Sequence, residues 1–580
     1  MIHLIVHQVH LLWHNRVNLF WPIWGCITGL GVLLVLWSIP DRAPQPAVRF
    51  ERPGSGWSRL DTIAACLLSL FAVLPVVESL VWEDFTYYDN SHFTNGTLQG
   101  RDIPIQVSAE TGRFWPLGHQ EFNLVRHFTR SAVGYHLVRI LELFLVIAVL
   151  LVLDRDRKIW ERVLLILFVL LTPSVVICFT GLIYAEANQI VALVGLIWCV
   201  RRFHETHATV WAACAVICAQ IMLYYKETAF VLLGGFAVGH LVLRCIKPGG
   251  KGWDAVRLRD SESRLDACLI LMTTVFLLYY FAAMYPIFGM GYRSEASLPL
   301  VQVLASYVEQ DLLAWVFLTV FLIRGILIVR GRISPWPLWD GLALGGALML
   351  AGYLGLRMSS GYYLAQVDVI AILYVGRVVL MSRSKMTPLL QWAAVGVATL
   401  VAVQDVSLSA FRLYEAKNVI HAKAELGQEI AAEYAAHPGQ VKRLFFPYAS
   451  PWQIMEFASY LNYLGVPIEQ DAKSGLEAKG VALIGPTVPS DGPCSYRSFL
   501  CRSGSKANAN DLIIILPDDV TNSENSPLAP QDGTLFTYSP RPSIPPWMSQ
   551  YVRQLHVISP VFAHSQLPAG WLDASISVRR

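Results

Sequence analysis

Apolar stretches of about 20 residues, each long enough to cross the hydrocarbon core of a bilayer, recur along the first two thirds of the chain. They fall near 17–39, 61–82, 133–153, 163–181, 183–200, 208–224, 228–245, 267–287, 311–329, 339–356, 362–381 and 388–408. A large soluble protein with buried helices does not accommodate so many runs of that length. Composition agrees: the 580 residues are 54% hydrophobic and 15% charged. The expectation is a polytopic α-helical membrane protein of about 12 transmembrane helices.

Charge sorts by side. Arg42, Arg49, Arg52 and Arg59 lie between the first two runs, and Arg155, Arg157, Lys158 and Arg162 follow the third. Arg201 and Arg202, the stretch Lys247–Arg264, Arg330 with Arg332, and Arg383 with Lys385 follow the fifth, seventh, ninth and eleventh. Every second connection is basic, which assigns those turns to the cytoplasm and both termini to the outside. The net charge of +3 carries little information once its sign is sorted this way, and no nucleic-acid partner follows from it. Residues 1–16 hold four His and one Arg, a poor start for a cleavable signal peptide.

Two outward segments stand out. The loop 83–132 is too long for a simple connection. Its second half predicts a helix over 112–130, with Phe114, Leu117, Phe122, Val125 and Phe128 on one face and His119, Asn123, Arg126 and Arg130 on the other. Such a helix would lie on the outer leaflet and meet lipid phosphates. Glu121 falls on the apolar side, where it either pairs with a neighbouring helix or points into a cavity. The second segment is the tail 409–580, more polar throughout. It predicts a helix over 411–436, a strand at Lys442–Phe446, a helix over 451–464, and buried strands at Val481–Ile484 and Leu512–Leu516. That alternation predicts an α/β domain with a partly parallel sheet, suited to binding acceptor or glycan or to capping the membrane site. Eight of the ten Cys lie in or beside the apolar runs; Cys494 and Cys501 sit in the tail, where a disulfide can persist.

Ionisable groups at a bilayer edge are costly unless they work. Glu83 and Asp84 directly follow the second run, and adjacent, partly desolvated carboxylates repel, which raises the proton affinity of one. An acid there suits the base that a glycosyl transfer from a lipid-phosphate sugar needs, with cations to hold the departing phosphate. Lys226, beside Glu227 at the outer end of an apolar run, is either a phosphate ligand or half of an ion pair between helices. Glu186 could touch the acceptor or pair with Lys226, and Asp368 is expected to partner Gln366 or a neighbouring helix. No metal-ligand spacing is present; the clustered acids accommodate a divalent cation without requiring one.

These features resemble the GT-C superfamily, integral-membrane glycosyltransferases that use polyprenyl-phosphate-linked sugars. The residues that carry the resemblance are Glu83-Asp84 after Val-Val-Glu-Ser-Leu-Val-Trp, the Lys motif Leu223-Tyr-Tyr-Lys226-Glu-Thr228, and Arg357-Met-Ser-Ser-Gly-Tyr362-Tyr363-Leu-Ala365. In the last of these the Arg is displaced, and Ala365 stands where such enzymes often have Pro. The layout looks most like bacterial pilin or envelope-glycan transferases, including arabinofuranosyltransferases. The resemblance implies a transmembrane catalytic module over 1–408 and an extracytoplasmic domain over 409–580, in a bacterial inner membrane with the loop and the domain in the periplasm. It implies an inverting transfer with Asp84 as base and Glu83 beside it. Lys226, Arg357 and Arg293 would hold the donor phosphate, and Asp89, His92, His119, Glu121, Glu186 and Tyr362 would contact substrate. The implied partners are a polyprenyl-phosphate sugar donor, a periplasmic protein or glycan acceptor, and membrane lipids. The rival reading is a polytopic transporter or flippase; Gly/Pro-broken spans in matching halves would favour it, and the sequence shows none.

Overall fold

The computed structural model describes residues 20–39, 58–81, 96–105, 107–108, 113–155, 157–246, 260–284, 299–358, 360–382, 386–437, 439–470, 480–485, 493–494, 499–504, 506–517, 533–539 and 574–578. Two long helices come first among the described residues, α1 (Phe20–Ser38) and α2 (Arg59–Val81). A two-stranded antiparallel ribbon, β1 (Val107–Ser108) and β2 (Arg113–Phe114), leads into a short α3 (Gln120–Arg126). The bundle continues with α4 (Ala132–Leu153), α5 (Ile159–Leu171), α6 (Pro173–Thr180), α7 (Glu186–Thr206), α8 (Thr209–Tyr225) and α9 (Ala229–Arg244). Then come α10 (Ser261–Met284), α11 (Leu300–Gln310), α12 (Leu312–Val329), α13 (Pro337–Gly355), a 3-10 turn at Gly361–Leu364 and α14 (Ala365–Ser382).

Seven helices among the described residues are long and apolar enough to cross a membrane, or eight if the bent pair α5 and α6 forms one span. The count of about 12 is therefore met only in part. The shortfall has a physical cause. Helix α7 carries Glu186, Asn188 and Gln189, all buried, and packs against α4, α8 and α14. The neighbouring α8 and α9 are 17 and 16 residues long. Helices enclosed by other helices need neither full length nor full apolarity, because protein meets their polar groups. The run expected as one span over 163–181 bends by 66° at Thr172-Pro173. Pro at the first position of α6 has no N–H to continue the ladder of α5.

Helices α9 and α13 share the most extensive contact in the bundle, and small residues make it. A Cβ at Gly345 would lie 2.4 Å from the Leu232 carbonyl oxygen, and one at Gly341 would lie 2.8 Å from the His240 nitrogen. From the other side, Gly235 and Gly239 face the Cα atoms of Gly345 and Gly341, at 3.0 and 3.3 Å from their would-be Cβ positions. Both helices thus present a Gly-x-x-x-Gly face, which lets backbones approach where lipid offers no hydrophobic drive.

The next helix, α15 (Pro388–Ala436), is 49 residues long. It fuses the last expected span with the helix predicted separately over 411–436. Its first half lies along the bundle, where Ser409 donates to the Leu171 carbonyl at 2.5 Å. Its second half packs Ala422, Leu426 and Ile430 into a separate core with β3 (Arg443–Phe445) and α16 (Pro451–Tyr463). A capping box between Ser450 and Gln453 starts α16. The remaining strands are β4 (Ala482–Gly485), β5 (Pro493–Cys494), β6 (Phe499–Ser503), β7 (Leu512–Ile515), β8 (Thr534–Tyr538) and β9 (Ala574–Val578). Among the described residues they form, with β3, a seven-stranded sheet in the order β5-β6-β4-β3-β7-β9-β8. Its centre, β6-β4-β3-β7, is parallel and its edges are antiparallel, as the predicted partly parallel sheet requires. The runs Ala-Leu-Ile-Gly and Leu-Ile-Ile-Ile are buried along most of their length, as strands covered on both faces must be. Cys501 is disulfide-bonded; the partner side chain lies outside those described.

The loop departs from expectation. Instead of one helix over 112–130, the chain makes β2, a turn through Pro116–His119 and the seven-residue α3. Gly118 packs too tightly for any side chain, since a Cβ there would sit 2.5 Å from the Trp115 ring. Phe114, Leu117 and Phe122 are buried as the pattern requires, but Phe128 is exposed and His119 is wholly buried rather than facing lipid phosphates.

Candidate functional site

Helix α8 ends at Tyr225, and Lys226 turns the chain extended (φ −160°, ψ 131°) before α9 begins. The carbonyls at that end need partners. Gln189 of α7 supplies them, donating to the Met222 oxygen at 3.0 Å and the Lys226 oxygen at 3.2 Å. Gln189 is itself fixed by Gln366, at the start of α14, which donates to its Oε1 at 2.6 Å. This chain of amides locks the backbone of Lys226 and leaves its ammonium free to be aimed.

The ammonium pairs with Glu186, the first residue of α7. It also sits over the Tyr363 ring at 4.2 Å and the Tyr362 ring at 5.2 Å. Those two tyrosines lie on the 3-10 turn and form a shelf with Tyr184 and Tyr353. The Tyr353 hydroxyl bonds Thr228 at 3.0 Å. Lys226 and Glu186 are 4% and 2% exposed, so the pair is out of water, where cation–π attraction is strongest.

A second ionic cluster lies beside the first. Arg139 of α4, fully buried, donates to Glu142 Oε2 at 2.7 Å and to the Leu182 carbonyl at 2.7 Å, and reaches Glu121 Oε1 at 3.4 Å. Glu121 also accepts from Asn188 at 2.7 Å and from the Tyr225 hydroxyl at 3.1 Å. Of the two readings left open for Glu121, the structure gives the pairing with neighbouring helices. His119 joins the clusters: it caps α3 in the left-handed region (φ 63°) and stacks on Phe122 at 5.8 Å. Burial, then the charges of Arg139 and Lys226, hold its pKa well below the usual imidazole value. His119 is therefore neutral at physiological pH. Arg113 of β2 pairs with Glu227 at 2.9 Å, which ties the loop to the α8–α9 turn.

The structure thus gathers His119, Glu121, Glu186, Lys226 and Tyr362 at one end of the bundle. Arg357 lies beyond α13 on the way to the same turn, in left-handed backbone (φ 57°), a position that usually takes Gly. Its amide bonds the Leu354 carbonyl at 3.1 Å. Glu83, Asp84, Asp89, His92 and Arg293 lie outside the described residues. Arg139, Glu142 and Arg113 escaped the sequence reading. The signal for the first two was an Arg and a Glu three residues apart within an apolar run. Asp368 accepts from Ser174 on α6, a neighbouring helix, while Gln366 goes to Gln189. Ser174, Asp368, Asp311 and Arg412 line a small cavity of about 40 Å³ at the α5–α6 bend. Among the described residues no group of three or more His, Cys, Asp or Glu is arranged to hold a metal ion.

No family model and no curated protein matches the sequence. Among solved structures, the chain is similar to the apo form of the oligosaccharyltransferase from Archaeoglobus fulgidus, with 10% identity and a TM-score of 0.40. The likeness covers 70% of this chain and 63% of that one, so the chain spans less than two thirds of the oligosaccharyltransferase's length. It assigns no residue and no activity here.

Proposed function

We propose that the protein is an inverting glycosyltransferase that moves a sugar from a polyprenyl-phosphate donor to an extracytoplasmic acceptor, a protein or an envelope glycan. The observation that carries this reading is the buried Lys226 ammonium, held by Glu186 over the Tyr362–Tyr363 shelf at the end of an apolar bundle. A cation so placed suits a phosphate whose prenyl chain lies in the bilayer, because the phosphate can exchange with the Glu186 carboxylate as counter-ion. The described part of the loop that follows Glu83 and Asp84 in sequence is anchored at this same end through Arg113–Glu227 and Glu121–Arg139.

In the transfer, the acceptor hydroxyl oxygen attacks the anomeric carbon while the Asp84 carboxylate takes its proton. The bond from the anomeric carbon to the phosphate oxygen breaks, and the prenyl phosphate leaves as an anion toward Lys226, with Arg357 and Arg293 as further cations. One displacement inverts the anomeric configuration. His119, being neutral, adds no charge beside the leaving group; Asp89 and His92 serve sugar hydroxyls. In this reading the transmembrane module 1–408 does the chemistry at its periplasmic end, and 409–580 receives the acceptor on the same side of a bacterial inner membrane.

The test is Asp84→Asn in membranes supplied with a labelled polyprenyl-phosphate sugar. Loss of a general base predicts transfer lower by about 100-fold or more at unchanged protein level. Retained transfer removes Asp84 from the role. One observation favours the transporter reading, namely the 66° break at Pro173 beside Ser174, Asp311 and Asp368. A transporter would move the labelled lipid between leaflets without forming a glycosylated product, so the same assay separates the two.

A further inference from the structure

On the C-terminal sheet, a cavity of about 480 Å³ is lined by Lys442, Arg443, Glu469, Ala482, Arg502 and Ser503 together with Gly480 and Ile484. The register explains how the cations converge. Arg443 of β3 pairs with Ala482 of β4, and Ile484 of β4 pairs with Arg502 of β6. Alternation along parallel strands then puts Arg443, Ala482, Ile484 and Arg502 on one face. This is the face carrying Phe445, Ala482, Ile484, Ala507 and Ile513, and not the one that α15 and α16 cover with Leu444, Leu483 and Ile514. The cavity therefore has an apolar floor and a cationic rim.

Glycine closes one wall. A Cβ at Gly480 would lie 2.6 Å from the Glu469 nitrogen, so only Gly lets that segment settle against β4. Glu469 is thereby placed to bond Arg502 at 2.5 Å, orienting the guanidinium. Arg443 has a looser partner in Asp511, buried at the start of β7, at 3.5 Å. Lys442 is exposed beside them. Among the described residues three cations meet two carboxylates, Glu469 in the wall and Asp511 behind Arg443, which leaves a net charge of +1.

We propose that this cavity binds a phosphate monoester carried by a sugar. The surplus of positive charge favours an anion, and two guanidinium forks suit phosphate oxygens. The volume falls in the range of about 300–1,000 Å³ usual for small-molecule sites, which a bare phosphate would leave mostly empty. None of the described residues lining it is aromatic, so the recognition argued from them rests on charge. The site is separate from the membrane cluster and stands whether or not the chain transfers sugars.

The experiment uses full-length protein in nanodiscs and measures binding of glucose 6-phosphate, glucose and inorganic phosphate by calorimetry. Glucose 6-phosphate is expected to bind, glucose not to bind, and inorganic phosphate to bind about tenfold more weakly or worse. Arg502→Gln and Lys442→Gln should each weaken the sugar phosphate by about tenfold, and raising salt from about 0.05 to 0.3 M should weaken it further. Both positions are exposed, so an unchanged melting temperature shows that the fold survives. Equal binding of glucose, equal binding of inorganic phosphate, or indifference to both substitutions overturns the proposal. These readouts do not involve Asp84, so their failure leaves the transfer assay untouched, and the converse also holds.

Discussion

At the scale of single residues, Lys226 and Glu186 test whether a buried ion pair is scaffold or machinery. Removing one charge strands the other in a low-dielectric interior, at a cost of about 3–5 kcal/mol, whereas replacing both with apolar residues of similar size is far cheaper. Lys226→Met and Glu186→Met are each expected to lower the melting temperature in detergent, and the double variant to recover most of the loss. Activity then separates the readings. If Lys226 holds the leaving phosphate, the recovered double variant stays inactive; recovery of transfer along with stability would make the pair purely structural. Arg139 follows the same logic, because Arg139→Met leaves Glu121 and Glu142 facing each other without a cation. His119 adds a pH dependence. Its folded-state pKa lies well below 6.5, so the unfolded chain binds the proton more tightly. Its contribution is complete above about pH 6.5 and is lost as pH falls toward the folded-state value, by up to about 1.4 kcal/mol per unit. Melting temperatures from about pH 7.5 down to 5.5 should therefore fall less steeply in His119→Phe than in the parent.

At the scale of elements, the α9–α13 seam gives a sharp contrast between glycines. Gly345→Val would drive a side chain into the Leu232 carbonyl, which is backbone and cannot yield, so the helices must part. Gly325 on α12 has nothing within 4 Å of a would-be Cβ, and Gly325→Ala is expected to be neutral or slightly stabilising. Expression and thermal stability of the two variants in the same detergent check this. If Gly345→Val matches the parent, close packing is not what holds the seam. The elements also show what the sequence made legible. Apolar length announced seven or eight spans of the twelve expected, among the described residues, and β3, α16, β4 and β7 lie where alternation and buried runs put them. Tertiary constraint was not legible. The spacing of Phe114, Leu117, Phe122 and Val125 fits one helix, but Phe114 lies on β2, Leu117 in the turn packed tightly at Gly118, and only Phe122 and the half-buried Val125 on α3. Pro173 falls within an apolar run that by hydropathy reads as unbroken, although it bends the chain by 66°. Of the site, Lys226, Glu186 and Glu121 were visible as charges in costly places, whereas Arg139 and Gln189 matter through partners that are distant in sequence.

At the scale of the whole molecule, α15 fixes which side the C-terminal domain occupies. Its residues Leu408 and Arg412 line the cavity at the α5–α6 bend together with Gly361, Leu364 and Asp368. The same helix then runs on without a break to Ala436, where Tyr538 of β8 bonds Asn418 at 3.0 Å and Lys423 faces Glu456 of α16 at 3.8 Å. Because the 3-10 turn at Gly361–Leu364 also carries the tyrosines under Lys226, the domain and the membrane cluster share one end of the bundle. The basic connections, such as Arg201–Arg202 and Arg330–Arg332, lie at the other ends of the helices that reach that cluster. Sidedness thus becomes a single measurable property. A protease site inserted at Gly439, an exposed turn just past α15, is expected to be cut in right-side-out vesicles, whereas a site inserted at Gly331 is cut only in inverted ones. Cutting at Gly439 only from the cytoplasmic side would reverse the charge-based orientation and place the Lys226 cluster on the face where polyprenyl-phosphate sugars are not presented for outward transfer. The transferase reading would then fail by topology alone, while the cation-lined cavity on the sheet would remain to be explained by a ligand from that other compartment.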